Sequence, residues 1–446
     1  ADSTGKRLSY AQAMVAGMAL SRAIRRRCRG EEMVGIMLPN SVMAALINVA
    51  VTVLGKVPVN LNFTASEDAL STAIKTCGIK TVFTSRTFLG KAGLREREGM
   101  VHLEEFLSES RQGDKIVAWL GFWLLPHWLL KHVYRSDRRR NTRSLATVMF
   151  SSGSTGTPKG VMLSHANVNS NIEGLYQVLR LGPADTVLGI LPLFHSFGFT
   201  GTLWFPLTTG RSVVFHSNPL DFKVVGELVH EYQAAILTAT PTFLMGYLRK
   251  CTAEQFASLQ HVVVGAEKLK ERLAASFEKK FGICPLEGYG CTELSPIVSL
   301  NVPDIVLADM TQKGSKQGTI GQPLPGIAAK IVDPDTFEAL PCGTEGLLLI
   351  KGPNVMLGYL GNEEKTREVM HGDWYATGDV AVIDGDGFIT ITDRLSRFSK
   401  IGGEMVPHIK VEEKIHEVLG IAGEQICAVT AVPDERKGEK LVVLFQ

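Results

Sequence analysis

Short runs of Val, Ile and Leu recur between helical stretches along most of this chain, and that alternation constrains the fold more than any other feature. Glu31 to Met37 reads as a short buried strand closed by Pro39-Asn40, and 41–54 as an apolar helix. Strand, helix, strand returns at Lys80–Thr84, Ala184–Pro192, Ser212–His216 and Gln260–Gly265. Runs such as TVLGILPL (186–193) and HVVVGA (261–266) show no polar alternation. Both faces of their sheets must therefore be covered, which argues an α/β fold with parallel sheets. From about Gly314 the texture changes to short strands punctuated by Gly and Pro, as in GLLLIKG (346–352), and a small β-rich subdomain is expected there.

The 446 residues correspond to roughly three ordinary domains. Lys+Arg 47 against Asp+Glu 45 leaves a net charge of +2, so no broad basic field argues for nucleic acid. The seven cysteines are scattered without a CxxC pair, which removes zinc-ribbon and dithiol spacings and suits a reducing compartment. The chain opens on a polar stretch in place of a signal peptide and lacks an initiator Met, so it is read as part of something longer. Its end, LVVLFQ (441–446), reads either as a strand or as the remnant of a protease site.

Residues 116–134, IVAWLGFWLLPHWLLKHVY, hold three of the five tryptophans and precede a basic run from Arg135 to Arg143. Pro126, His127 and Lys131 interrupt the apolar stretch, and a transmembrane helix needs about 20 apolar residues. Two readings stay open: an interfacial helix on an anionic membrane, reaching through Arg138–Arg140, or a buried helical hairpin over an apolar pocket.

Three short segments carry chemistry. SSGSTGTPKG (151–160) gathers hydroxyls, glycines and Lys159 between a strand-like LATVMF and VMLSH. Glycine lets successive N–H groups converge on an anion, hydroxyls add donors and Lys159 adds charge. A Walker A loop is excluded, because Pro158 stands where its second Gly belongs and Gly160 where Ser/Thr would meet magnesium. EGYGCTE (287–293) places Tyr289 between two glycines, able to lie flat on a base, with the Thr292 hydroxyl and the Glu293 carboxylate following. YATGD (375–379) puts Asp379 just past a tight turn, where it could accept both hydroxyls of a ribose. The H-x4-D spacing of His216 and Asp221 lacks the companion motif of glycerolipid acyltransferases, and Asp221 is expected to cap a helix. Asp384-Gly385-Asp386-Gly387 is read as a hairpin turn.

Taken in order, FSSGSTGTPKG, GYGCTE, YATGD and the Asp-Arg of TDRLSR (392–397) resemble the adenylate-forming superfamily of acyl-CoA synthetases, luciferases and adenylation domains. More narrowly, LPLFHSFG (191–198), VGAEKL (264–269) and FSKIGGEMV (398–406) are similar to the acyl-carrier-protein synthetase halves of bifunctional lysophosphatidylethanolamine acyltransferases.

The resemblance implies a large N-terminal domain over 1–393, made of two α/β subdomains and a β-rich one (about 314–393). An apolar and basic insertion occupies about 111–143, and 394–446 begins a truncated α+β C-terminal domain. It implies ATP and Mg²⁺ as cofactors, a long-chain fatty acid as substrate, and acyl carrier protein or coenzyme A as thiol acceptor. The cytoplasmic side of the cell membrane is the implied location. Ser151, Ser152, Gly153, Ser154, Thr155, Gly156, Thr157 and Lys159 would hold the β/γ-phosphates. Gly265, Ala266 and Glu267 would line one side of adenine, with Tyr289 and Gly290 on the other. Thr292 would sit near the α-phosphate, Glu293 would hold Mg²⁺, and Asp379 with Arg394 would clamp the ribose. His195 would lie where acyl carboxylate and α-phosphate meet. Ser396 stands where the superfamily usually has a hinge Asp or Lys, and neither Lys437 nor Lys440 has the context of its adenylation lysine.

Overall fold

Ser9 starts the first helix by accepting from the Gln12 N–H while the Gln12 side chain returns to the Ser9 N–H, a capping box that satisfies two otherwise open donors. Helix α1 (Tyr10–Arg27) buries Leu20, Ala23 and Ile24 and packs on α2 (Val42–Val53), which is buried over most of its surface. The computed structural model describes all residues except 109–110, 127, 131–140, 152–157, 308–309, 402–403, 420–425, 435–437 and 446.

Strands β1 (Met33–Ile36), β2 (Val57–Asn60), β3 (Val82–Thr84) and β4 (Met100–His102) form an all-parallel sheet in the order β2-β1-β3-β4. Helices α3 (Glu67–Thr76), α4 (Arg86–Ala92) and α5 (Leu103–Ser108) join and follow its strands. Next, β5 (Leu145–Ser151) and β6 (Lys159–Ser164) make an antiparallel hairpin around the hydroxyl-rich loop.

A larger sheet follows. Strands β7 (Thr186–Gly189), β8 (Ser212–Phe215), β9 (Ile236–Ala239), β10 (His261–Val264) and β11 (Leu286–Gly290) are parallel, while β12 (Ile297–Leu300) runs antiparallel to β11. The period of two decides which core each residue enters. Val187, Ile236 and Val263 face the core shared with α1 and α2, whereas Leu188, Leu237, Val262 and Val264 face a second core with Tyr247, Phe256 and Phe277.

The hairpin β13 (Ile305–Leu307) and β14 (Met310–Gln312) precedes β15 (Gln322–Pro323), which adds to β12. An antiparallel sheet then unites β16 (Ala328–Val332), β17 (Gly346–Lys351), β19 (Met370–His371), β20 (Trp374–Ile383) and β21 (Ile389–Arg394). Ile383 pairs with Ile389 across the Asp384–Phe388 turn. Strand β18 (Gly358–Tyr359) leaves this sheet to pair with β6. Last come β22 (Phe398–Ile401), β23 (Glu404–Pro407), β24 (Cys427–Asp434) and β25 (Gly438–Phe445), an antiparallel sheet beside the helix His408–Leu419. Mixed α/β architecture is thus present, with two parallel sheets and the antiparallel β5–β6 hairpin in the first two thirds and antiparallel sheets after.

Helix α6 (Gln112–Leu124) turns Asp114, Ala118 and Gly121 toward α1, a spacing that puts small residues on one face. Buried Asp114 accepts from Arg22 at 3.0 Å and from Arg26 at 3.1 Å. The opposite face exposes Ile116, Trp119, Leu120, Trp123 and Leu124, so the helix is not the buried hairpin offered as one reading of the sequence. Among the described residues no helix is long and apolar enough to cross a membrane.

Candidate active site

A parallel sheet leaves its richest binding geometry outside the carboxyl ends of its strands, where loops from several strands converge. The ends of β7, β10 and β11 do so here, around a cavity of about 390 Å³ lined by His195, Phe197, Phe243, Val264, Gly265 and Tyr289 among others. Ala266, Gly290 and Thr292 belong to the same wall.

Gly290 has no alternative at its position. A Cβ there would meet the Pro296 carbonyl oxygen at 1.8 Å, so β11 and the strand after it can approach only with hydrogen in that place. The close approach turns the chain through Thr292–Leu294 and delivers Tyr289 to the rim of the cavity. The Tyr289 hydroxyl donates to Asp379 Oδ2, and Arg394 Nε donates to Asp379 Oδ1 at 2.9 Å. Asp379 and Arg394 are register partners on β20 and β21. Burial pushes the Asp379 carboxyl above its ordinary pKa, opposed by the Tyr289 hydrogen bond and by Arg394. Burial likewise drives the Tyr289 phenol and the Cys291 thiol well up, so both stay protonated.

His195 opens to the cavity on one side and is crowded on the others, and the crowding lowers its pKa from 6.5. It is therefore neutral at pH 7, with a lone pair available. Ser196, next to it, reaches Thr292 Oγ1 at 3.4 Å, which joins the β7 loop to the β11 loop. Ser196, Phe197 and Thr240 were missed in sequence as site residues; the first two stood within LPLFHSFG, and Thr240 carried no signal.

The hydroxyl-rich loop is closed at its base by pairing of Ser151 with Lys159. Ser152, Gly153, Ser154, Thr155, Gly156 and Thr157 lie outside the described residues. Lys159 Nζ stands 5.5 Å from the centroid of the Tyr359 ring. The Tyr359 hydroxyl donates to Glu293 Oε1 at 2.9 Å. Glu293 is buried and forms no ion pair among the described residues. A buried carboxylate without a cation is costly, so this donor suits a hard divalent ion. No cluster of three or more His, Cys, Asp or Glu exists among the described residues, and Mg²⁺ held by one carboxylate would draw its other oxygens from phosphate and water.

Two expectations are corrected. Glu267 does not line the cavity: the chain turns at Ala266, φ +70°, and the Glu267 carboxylate accepts from Thr242 Oγ1 at 2.7 Å on the exposed side. Asp221 does stand before the helix Phe222–Tyr232, but its side chain makes no capping hydrogen bond. Its Oδ2 lies 3.9 Å from His216 Nε2, too far for a hydrogen bond, and His216 is buried away from the cavity lining.

A cavity at the carboxyl ends of parallel strands, lined by Tyr289, His195 and Thr292 and joined through Tyr289 to Asp379, defines an α/β ligand-binding cleft. A model of the AMP-binding enzyme family matches residues 1–360, and the chain belongs to that family. It is 32% identical over 318 residues to a long-chain-fatty-acid–CoA ligase of Salmonella typhimurium, a match covering 70% of this chain and 54% of the relative. It is also 32% identical over 295 residues to a feruloyl-CoA synthase of Amycolatopsis, covering 66% of this chain and 57% of the relative. The ATP-bound crystal structure of MatB from Rhodopseudomonas palustris superimposes with a TM-score of 0.79 at 25% identity, over 99% of this chain and 84% of the other. The chain spans about half the length of the curated relatives it matches.

Proposed function

We propose that this chain binds ATP and a fatty acid for an AMP-forming acid–thiol ligase. The observation that carries the reading is the meeting of Tyr289, Asp379 and Arg394 beside an apolar cavity whose polar end holds His195 and Thr292. The adenine stacks on Tyr289 between Gly288 and Gly290, and the ribose hydroxyls replace the Tyr289 hydroxyl on Asp379. Arg394 balances the carboxylate charge. The acyl chain occupies the cavity, and neutral His195 meets its carboxylate without adding a proton.

The first step brings two anions together, so alignment and charge neutralisation supply most of the rate. A carboxylate oxygen attacks the α-phosphorus, the bond to the β-phosphate oxygen breaks, and pyrophosphate leaves. Lys159 neutralises the departing phosphates. Glu293 would hold Mg²⁺, which when bound would supply Lewis-acid charge at the phosphates. A thiolate then attacks the acyl carbonyl and AMP departs.

The names of the relatives favour coenzyme A as the acceptor. The motifs LPLFHSFG and FSKIGGEMV favour acyl carrier protein as a second reading. Full-length protein assayed with ATP, Mg²⁺ and palmitate should release AMP with one of the two acceptors. Release with neither, although the protein binds ATP, contradicts the reading.

The tryptophan-rich face of α6 supports a peripheral location on the cytoplasmic side of the cell membrane. Trp119, Trp123 and Trp128 are more than half exposed, and Arg111 and Lys115 are exposed at the α6 N-terminus. Tryptophan with flanking cations suits an anionic bilayer surface. Vesicles containing phosphatidylglycerol should bind the protein in low salt and bind a Trp119→Ser/Trp123→Ser variant weakly. Equal binding of both proteins removes α6 from the account.

A further inference from the structure

Tyr359 touches two groups that the chain brings from far apart, and no motif singles it out. It lies on β18, whose only length is Gly358–Tyr359, and pairs with Val161 on β6, two residues beyond Lys159. Its backbone N–H donates to Thr366 Oγ1 at 2.9 Å, which fixes the strand against the helix Glu363–Val369. The residue is 4% exposed. From that fixed place the ring face stands under the Lys159 ammonium, and the hydroxyl donates to Glu293 Oε1. Tyr375, also buried, packs in the same polar pocket.

We infer that Tyr359 is a positioning residue that holds the metal-directed carboxylate Glu293 and the phosphate-directed ammonium Lys159 at a fixed separation. The inference rests on the reading of the cleft as an ATP site. Its physical basis is that each group has freedom the ring removes. A glutamate side chain has three rotatable bonds, and the Tyr359 hydroxyl, with the Cys291 thiol beside it, holds the Glu293 carboxylate while leaving lone pairs for a ligand. A lysine ammonium is a mobile point charge on a flexible stem, and an aromatic face gives it a preferred seat worth a modest energy. Held together by one side chain, the two charges are set before ATP arrives, and less ordering remains to be done on binding. Tyr359 itself touches no reacting atom.

The experiment uses full-length protein and calorimetric ATP titrations at graded Mg²⁺, with Mn²⁺ paramagnetic resonance as a readout independent of turnover. Tyr359→Phe keeps the ring under Lys159 and deletes only the hydroxyl. It should leave Mg²⁺-free ATP affinity unchanged and raise the Mg²⁺ needed for half-maximal tightening about tenfold, with weaker Mn²⁺ capture by the ATP complex. Tyr359→Leu should do the same and also lower Mg²⁺-free ATP affinity severalfold. A double-mutant cycle guards against a merely structural effect: in a Glu293→Gln background, Tyr359→Phe should change the Mg²⁺ requirement no further. A Tyr359→Phe protein with the wild-type Mg²⁺ requirement overturns the inference, as does an undiminished effect of Tyr359→Phe in the Glu293→Gln background. Wild-type protein that binds no ATP overturns the reading of the cleft itself.

Discussion

The Tyr289 hydroxyl donates to the Asp379 carboxylate across 90 residues of chain, and Arg394 Nε holds the other oxygen of that carboxylate at 2.9 Å. The contact sits at the rim of the cavity and takes up both oxygens of the Asp379 carboxylate. Burial raises the Asp379 pKa above 3.8, which means that keeping it ionised costs stability. The sign follows from linkage. A carboxyl whose folded pKa is raised contributes most when protonated, and that contribution is lost as pH rises through the folded value. Asp379→Asn should therefore leave thermal stability at pH 7 equal or higher while weakening ATP by about 10- to 100-fold, the scale of hydrogen bonds to a charged group. Calorimetry of both properties on one protein checks it. Wild-type ATP affinity should also fall on acidification at a higher pH than an ordinary aspartate would dictate.

Gly290→Ala tests the backbone approach that presents Tyr289. The added methyl would overlap the Pro296 carbonyl, and the strand must shift to accept it. We expect a loss of about 3 kcal/mol in urea unfolding, together with weaker ATP binding. Wild-type stability in this variant would mean that β11 yields easily.

Burial lowers the pKa of His195, His216 and His261 below 6.5, with Asp221 opposing the shift at His216 and Leu179 and Asp185 opposing it at His261. A depressed pKa gives stability that is complete above 6.5 and lost as pH falls through the folded value, because the unfolded chain takes up protons first. Unfolding free energy should drop between pH 7 and pH 5, and His216→Asn should make that drop smaller. Urea melts at four pH values measure it.

Asp114 is the anchor of α6. Arg26 first and then Arg22 hold its carboxyl below the usual pKa, so its contribution is present above 3.8 and lost as pH falls through the lowered value. Both arginines stay partly exposed, which limits the energy. Asp114→Asn should cost about 1–2 kcal/mol and increase hydrogen exchange in 112–124, without changing ATP affinity.

Most of the fold was legible because buried parallel strands must be apolar on both faces. Val34–Ile36, Val187–Gly189 and Val262–Val264 announced themselves for that reason, as did the turn at Asp384–Gly387. Tyr289 and Asp379 were legible as short motifs, although neither motif says that the two side chains touch. Tyr359 was not legible. Its partners Lys159 and Glu293 are 200 and 66 residues away, and they meet because β18 pairs with β6 while the Met356 N–H just before it donates to the Glu293 carbonyl. Glu267 failed for a local reason: VGAEKL reads as a continuous wall, whereas the left-handed turn at Ala266 sends the carboxylate to Thr242. The outward face of α6 could not be chosen from sequence, since an apolar helix buries whichever side meets Asp114's arginines.

On the proposed reading, strand ends distant in sequence grip one nucleoside triphosphate. A crystal structure of this chain with ATP and Mg²⁺ tests that grip. Adenine should lie against the Tyr289 ring, both ribose hydroxyls on Asp379 and the α-phosphate within reach of Thr292 and His195. Nucleotide density elsewhere, with the Tyr289–Asp379 hydrogen bond intact, would contradict it.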